Sequence, residues 1–276
     1  VKILHLSDTH YTRDVDDPEL KPVFDAQVPL EKKFNQILEH ENLDTFDLVM
    51  VTGDIVHEGT PEDYRTIKNL IERTFSPLPI YFCLGNHDRK PVFYEGMTGE
   101  SKDANYDYDF EMDHFHIIVL DTAKNYSHSG ILDSTQIEWL ERTMAKNNHK
   151  KLIFQHHPII GGIYFDQFTM EEPDEVLHLL NNPNVIGVFT GHTHSPAINI
   201  YQHLKQYTTY AVSFGLEKVK DGTQYFTDTC GYSVIEYRDD SGLTVAPRII
   251  QPAYKILKTT NPNQMKELNS TYEFED

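Results

Sequence analysis

Six apolar runs of strand length recur along the chain: "VKILHLSD" (1–8), "FDLVMVTGD" (46–54), "IYFCLGNHD" (80–88), "FHIIVLD" (115–121), "KLIFQHH" (151–157) and "VIGVFTGHTH" (185–194). Each is rich in Val, Ile, Leu and Phe and is bounded by polar turn residues, the pattern of a strand buried on both faces. Segments with helical period lie between them. Residues 29–42 put Leu30, Phe34, Ile37 and Leu38 on one stripe, and 133–147 do the same with Ile137, Leu140 and Met144. Residues 60–75 open with a Thr60 cap and Pro61 at the first helical position, with Glu62 and Asp63 near the positive end. A fourth helix is predicted over 170–182. Alternation of this kind predicts an α/β fold. After residue 196 come four strand-like stretches without helices, "AINIYQ", "QYTTYAVSF", "GYSVIEYR" and "LTVAPRII". They are expected to extend a sheet in antiparallel fashion over 196–250 and to belong to one domain spanning 1–257. The tail, 258–276, is polar and acidic, and partial disorder is expected there.

With 276 residues, 39% of them hydrophobic and 24% charged, the chain has the apolar mass for a large core. Its 24 Lys and Arg face 43 Asp and Glu, a formal charge of −19 that repels nucleic-acid backbones and anionic lipid. No nucleic-acid polymer or membrane partner is therefore expected, although a cation held in a site would reverse the local field for an anionic ligand. No stretch approaches the apolar length of a membrane span, and no signal-peptide pattern opens the chain, so the expected location is cytoplasmic. Cys83 and Cys230 sit in apolar or aromatic segments without a C-x-x-C partner and are read as two buried thiols.

The fifteen His are more than a core can use. In α/β sheets, ligands gather at the carboxyl ends of strands. Those ends deliver Asp8 and His10, then Gly53–Asp54, then Asn86–His87–Asp88, then His156–His157, and finally His192 and His194. Burying several unpaired carboxylates together costs many kcal/mol, and cations are the usual remedy. Oxygen and imidazole donors without thiolate suit Mn, Fe, Zn, Co or Ni. Seven or eight donors exceed one coordination sphere, whereas two ions sharing a bridging carboxylate fit the count.

The motifs "SDTH" (7–10), "GD" (53–54), "GNHD" (85–88), "QHHP" (155–158) and "GHTH" (191–194) stand in the order that resembles the calcineurin-like metallophosphoesterases. The stretch 119–144, with Asp121 and a Gln-x-x-Trp-Leu helix, is similar to the subgroup of class III cyclic-nucleotide phosphodiesterases and glycerophosphodiesterases. The resemblance implies a four-layer α/β/β/α sandwich of two mixed sheets flanked by helices. It also implies two metal ions per chain (Mn, Fe or Zn). Asp8, His10, Asp54 and His194 would hold one ion; Asp54, Asn86, His156 and His192 would hold the other. Hydrolysis of a small phosphodiester, a cyclic nucleotide or a glycerophosphodiester, would proceed by in-line attack of a metal-bound hydroxide. His87 would protonate the leaving group and Asp88 would orient it, a contribution of about 10²–10⁴-fold. Phosphomonoester hydrolysis on the same centre is the alternative, ahead of a nuclease or a non-catalytic binding protein. Assembly into a homo-oligomer is in keeping with the family.

The remaining candidates have quieter readings. His5, inside the first run, is expected to be a satisfied core residue, and His157 a neighbour of the ligands or a space-filler. His57 is read as a loop residue. The stretches 11–28, 89–104, 122–130 and 160–170 are expected to roof the site. Arg89, Lys90, Tyr126 and His128 are candidates for meeting a phosphate, while Tyr164, Phe165 and Phe168 are read as loop packing ahead of a base platform. Substrate-binding residues are not otherwise assigned.

Overall fold

The computed structural model describes residues 1–15, 18–124, 127–162, 169–250 and 254–270, with side chains as far as 267. The first third of the chain lays down three parallel strands, β1 (Lys2–Leu6), β2 (Leu48–Thr52) and β3 (Ile80–Cys83), with helices between them. The helices are α1 (Lys21–Asp25), α2 (Leu30–His40) and α3 (Pro61–Phe75). Thr60 caps α3, as the sequence pattern predicts, and does so in a reciprocal box with Asp63. The helix α4 (Lys90–Met97) follows β3.

The middle of the chain builds a second sheet from β4 (Tyr108–Met112), β5 (Phe115–Val119), β6 (Lys150–Phe154), β7 (Val185–Thr190), β8 (Ala197–Tyr201) and β9 (Leu204–Thr208). The helices α5 (Ser134–Met144) and α6 (Asp174–Leu180) connect β5, β6 and β7, which run parallel. The order is β4-β5-β6-β7-β9-β8.

The last part contributes β10 (Gly215–Lys218), β11 (Gln224–Thr227), β12 (Gly231–Arg238), β13 (Gly242–Ile249), β14 (Ile256–Thr260) and α7 (Pro262–Ser270). The expectation of one antiparallel extension is corrected here. β12 and β13 complete the first sheet as β13-β12-β1-β2-β3; β8 and β9 finish the second, with β9 parallel to β7; β10, β11 and β14 form a small third sheet. Within the tail expected to be partly disordered, residues 258–270 are ordered, because β14 pairs with β11 and Met265 of α7 is buried in an apolar cluster with Leu20, Val23, Phe214 and Phe226; residues 271–276 lie outside the described residues. A polar surface hid one buried face of that helix.

Two mixed sheets packed face to face, with helices outside, give the four-layer sandwich. Alternation along β1 shows why. Ile3 faces the layer between the sheets, where Leu48, Met50, Ile117, Leu152, Phe154 and Phe189 meet, while Leu4 and Leu6 face Phe34, Ile37, Ile67 and Ile71 of α2 and α3. The second sheet turns Ile118, Ile153 and Val188 outward onto Ile137 and Leu140 of α5 and Val176 of α6. His5 is a core histidine: its Nε2 lies 2.8 Å from the Thr52 hydroxyl, and burial pushes its pKa down to about 3. The stacked rings of Phe154 and Phe189, 5.0 Å apart, sit at the centre of the inter-sheet layer. Phe189→Ala is expected to lower the unfolding free energy by about 3–5 kcal/mol, read from urea denaturation; a loss of under about 1 kcal/mol would contradict this packing.

Candidate metal centre

The carboxyl ends of β1, β2 and β3 in one sheet and of β6 and β7 in the other come together at one edge of the sandwich. Backbone bonds join the connecting loops in two pairs, the loop after β1 with that after β2 and the loop after β6 with that after β7. Asp8 and His10 donate N–H to the carbonyls of Gly53 and Asp54 at 3.0 and 2.9 Å, and Gly191 N–H donates to the His156 carbonyl at 3.0 Å. The loops are strained where they carry chemistry. Asp8, His10, Asp54, His192 and His194 all have positive φ, between 42 and 71°. Non-glycine residues adopt this region at a cost of about 1–3 kcal/mol each, and persist there when the surroundings over-determine them. Gly191 is needed for close approach, since a Cβ there would lie 1.8 Å from Ser7 Oγ and 2.5 Å from Asp8 Oδ2.

Two donor sets converge on this edge and share one carboxylate. In the first, His10 Nε2 lies 3.4 Å from Asp54 Oδ2 and 3.1 Å from His194 Nε2, which is 3.3 Å from Asp8 Oδ1. In the second, His156 Nε2 lies 3.3 Å from the same Asp54 Oδ2, 3.2 Å from Asn86 Oδ1 and 3.1 Å from His192 Nδ1. All seven sequence-predicted ligand residues are therefore brought together, in the two groupings expected. Asp8 and Asp54 are buried, at 0% and 2% exposure.

The donor chemistry fits metal ions. His156 and His194 each donate Nδ1–H to a carbonyl, Thr52 O and Phe214 O respectively, both at 2.8 Å. Their Nε2 lone pairs are thereby turned toward the carboxylates, the orientation that outer partners impose on ligating histidines. Burial opposes the charge on Asp54, but His156, His87 and His10 outweigh it and hold its carboxyl well below the usual range. Burial similarly opposes the imidazolium of His156, yet Asp54 raises it to about 9. A cation between these groups would serve the same end with better geometry.

His87 sits beside the shared carboxylate, its backbone N–H donating to Asp54 Oδ1 at 2.9 Å. Burial works against its charged form, but Asp54 and Glu58 outweigh burial and raise its pKa. Asp88 also helps to raise the His87 pKa, as expected, but its expected role in orienting the ring is corrected. The Asp88 carboxylate accepts from Gly85 N at 2.9 Å, Ile55 N at 3.2 Å and the Tyr64 hydroxyl at 2.8 Å. The chain turns back on itself at GNHD, with Asp88 N–H on the Gly85 carbonyl, so the side chain braces the turn to the GD loop instead of reaching its neighbour. The carboxylate that faces the His87 ring is Glu58, 3.7 Å from Nδ1. Glu58 lies on a different loop, and no spacing in the sequence pointed to it.

Two more histidines belong here. His57, read as a loop residue, has Nδ1 3.2 Å from His10 Nδ1 and its ring 4.7 Å from that of His87; burial, assisted by His87, pushes its pKa down to about 3. His128 approaches Asn86 Nδ2 at 3.4 Å and lines the same cleft. Of the other phosphate candidates, Lys90 is turned away to Asp121 at 3.1 Å and Asn105 at 2.6 Å, and Arg89 lies 3.7 Å from Glu58. Half of the stretch 89–104, residues 90–97, is α4, which packs on α3 instead of forming a roof. His157 is fully buried against the Thr122 hydroxyl at 2.8 Å. Tyr126, Tyr164, Phe165 and Phe168 lie outside the described residues. Beside the histidines, the cleft is lined by apolar side chains: Leu20, Phe214, Leu216, Phe226 and Met265, with the Phe214 ring 4.5 Å from that of His194.

A family model for calcineurin-like phosphoesterases matches residues 1–196, well over half of the 276 residues and all five strand-end motifs. The chain belongs to the calcineurin-like phosphoesterases. Members of that family use a dimetal site. Among curated relatives of this phosphoesterase, a protein of Xenorhabdus bovienii named as a probable cyclic nucleotide phosphodiesterase is 27% identical, covering 88% of this chain and 98% of its own. A cAMP/cGMP dual specificity phosphodiesterase of Mycobacterium tuberculosis is 28% identical over 84% of this chain and 78% of its own. A dimetal phosphatase from Danio rerio shares the fold, with a TM-score of 0.63 at 12% identity, over 89% of this chain and 98% of its own. The purple acid phosphatase of yellow lupin does so with a TM-score of 0.63 at 16% identity, over 94% of this chain and 52% of its own. No helix among the described residues is long and apolar enough to cross a membrane.

Stripped protein reloaded with Mn²⁺ is expected to hold two ions per chain by elemental analysis. Asp54→Ala removes the donor common to both sets, and its content is expected to fall to one ion or fewer. Two tightly held ions in that variant would contradict the shared carboxylate.

Proposed function

We propose that this phosphoesterase is a dinuclear phosphodiesterase acting on small diesters, with cyclic nucleotides ahead of glycerophosphodiesters. The observation that carries the reading is the pair of donor sets meeting at Asp54 Oδ2, at 3.4 Å from His10 and 3.3 Å from His156. Asp8, His10, Asp54 and His194 would hold one ion and Asp54, Asn86, His156 and His192 the other. Ions bound there supply an activated water and neutralise phosphoryl oxygens. The absence of thiolate from the donor set favours Mn, Fe or Zn.

This chain's own residues do the rest. His87, favoured as imidazolium by Asp54 and Glu58, donates a proton to the departing alkoxide. Asp88 holds the turn that presents both Asn86 and His87. The apolar wall of Leu20, Phe214, Leu216, Phe226 and Met265 suits the flat, largely apolar face of a nucleobase better than it suits a glycerol. The names of the Xenorhabdus and Mycobacterium relatives support the same substrate class. A −19 chain has no field to gather a polynucleotide, which sets a nuclease aside. Cys83 and Cys230 are both buried and form no disulfide, which accords with a reducing cytoplasm. Monoester hydrolysis on the same centre is the rival.

With Mn²⁺-loaded protein, turnover of 3′,5′-cyclic AMP is expected to exceed that of p-nitrophenyl phosphate, and a monoester preference would promote the rival. His87→Ala is expected to lower kcat on the cyclic nucleotide by about 10²–10⁴-fold. The loss should be much smaller on bis-p-nitrophenyl phosphate, whose leaving group needs no proton. Equal losses on both would contradict the acid role.

A further inference from the structure

His57 belongs to neither donor set. Its ring is held 4.7 Å from the rings of both Phe24 and His87, and it lines the cleft next to His10 and His87. Its Nδ1 lies 3.2 Å from Nδ1 of His10, a hydrogen-bond distance between two ring nitrogens. Such a bond forms only if one nitrogen carries hydrogen and the other a lone pair.

Which is which follows from the centre, and the step rests on the metal reading given above. His10 presents Nε2 to Asp54 and His194. An imidazole that ligates through Nε2 keeps its single hydrogen on Nδ1. His10 is then the donor and His57 Nδ1 the acceptor. For His156 and His194 the corresponding Nδ1–H ends on a backbone carbonyl, Thr52 O or Phe214 O. For His10 it ends on a second imidazole, and an imidazole passes the constraint on. With Nδ1 occupied as acceptor, His57 keeps its own hydrogen on Nε2, the nitrogen left for the cleft.

We infer that His57 is locked by His10 as the neutral Nε2–H tautomer and donates that hydrogen to a phosphoryl oxygen of the bound diester. Two adjacent histidines thereby take different parts. His87 delivers a proton, whereas His57 keeps its own and offers a fixed, uncharged hydrogen bond. A neutral donor adds affinity for the charge developing on phosphorus without placing another cation beside the ions. The sequence contains this only as one residue in "GDIVH", so the tautomer is a property of the folded site.

The test is ¹⁵N NMR of histidine-labelled protein loaded with Zn²⁺, a diamagnetic ion, with metal content measured on the same sample. The expected result is two ions per chain and a His57 signal pattern of protonated Nε2 and unprotonated Nδ1 near neutral pH. Fewer than two ions would overturn the metal reading itself. Two ions with His57 as the Nδ1–H tautomer or as imidazolium would overturn this inference alone. In kinetics, His57→Phe is expected to keep both ions and lose about 10²-fold in kcat and kcat/KM together, the size and signature of a missing transition-state donor. His57→Gln, whose amide accepts from His10 and donates onward, should recover part of the loss. If His57→Phe does not fold, the glutamine variant and the wild-type spectrum decide alone. A kcat equal to wild type in a fully loaded His57→Phe or an unrescued glutamine variant would overturn the donor role.

Discussion

The structure turns on one oxygen atom. Oδ2 of Asp54 is buried and has imidazole nitrogens at 3.4 and 3.3 Å from opposite sides, one supplied by each sheet of the sandwich. A carboxylate removed from water is costly unless positive charge compensates it, and here the compensation comes from His156, His87 and His10, each on a different loop. The other oxygen of the same carboxylate takes the backbone N–H of His87 and so sets where the GNHD turn sits. Metal binding, placement of His87 and the join between the sheets are thus coupled through a single side chain.

That coupling explains features that packing alone would not. Backbone with positive φ recurs at Asp8, His10, Asp54, His192 and His194 because each loop must turn sharply off a buried parallel strand and still aim its side chain inward. The bracing is indirect. Asp88, itself pushed up to about 7 by burial and by Asp54, ties the GNHD turn to the GD loop and to Tyr64 of α3. The small third sheet, the Phe214 that leads into it and α7 furnish the apolar part of the cleft with Phe214, Leu216, Phe226 and Met265, and they join the network where Phe214 O accepts from His194 Nδ1.

Much of this was legible before any coordinates, for a physical reason. Parallel strands covered on both faces read as apolar runs, and their carboxyl ends then stand out as abrupt polar clusters, from which the family resemblance picked the seven candidate ligands. Elements without such contrast were missed. The strand β4, with an exposed or half-exposed side chain at every position, and the short helices α1 and α4 lack a clear apolar period. The strand β14 and the helix α7 have a polar surface around one or two buried residues. Side-chain partners were less legible still. Asp88 is adjacent to His87 in sequence and turned from it in space, whereas Glu58 and His57 come from another loop to face it. Turn geometry decides such contacts, and spacing does not encode it.

The claim on which the account rests is that Asp54 joins two ions. Anomalous diffraction at the manganese edge from crystals grown with Mn²⁺ addresses it directly. The account predicts two anomalous peaks about 3.5–4 Å apart, both within coordination distance of the Asp54 carboxylate. One would lie among Asp8, His10 and His194, and the other among Asn86, His156 and His192. A single peak, or two peaks of which only one contacts Asp54, would contradict it.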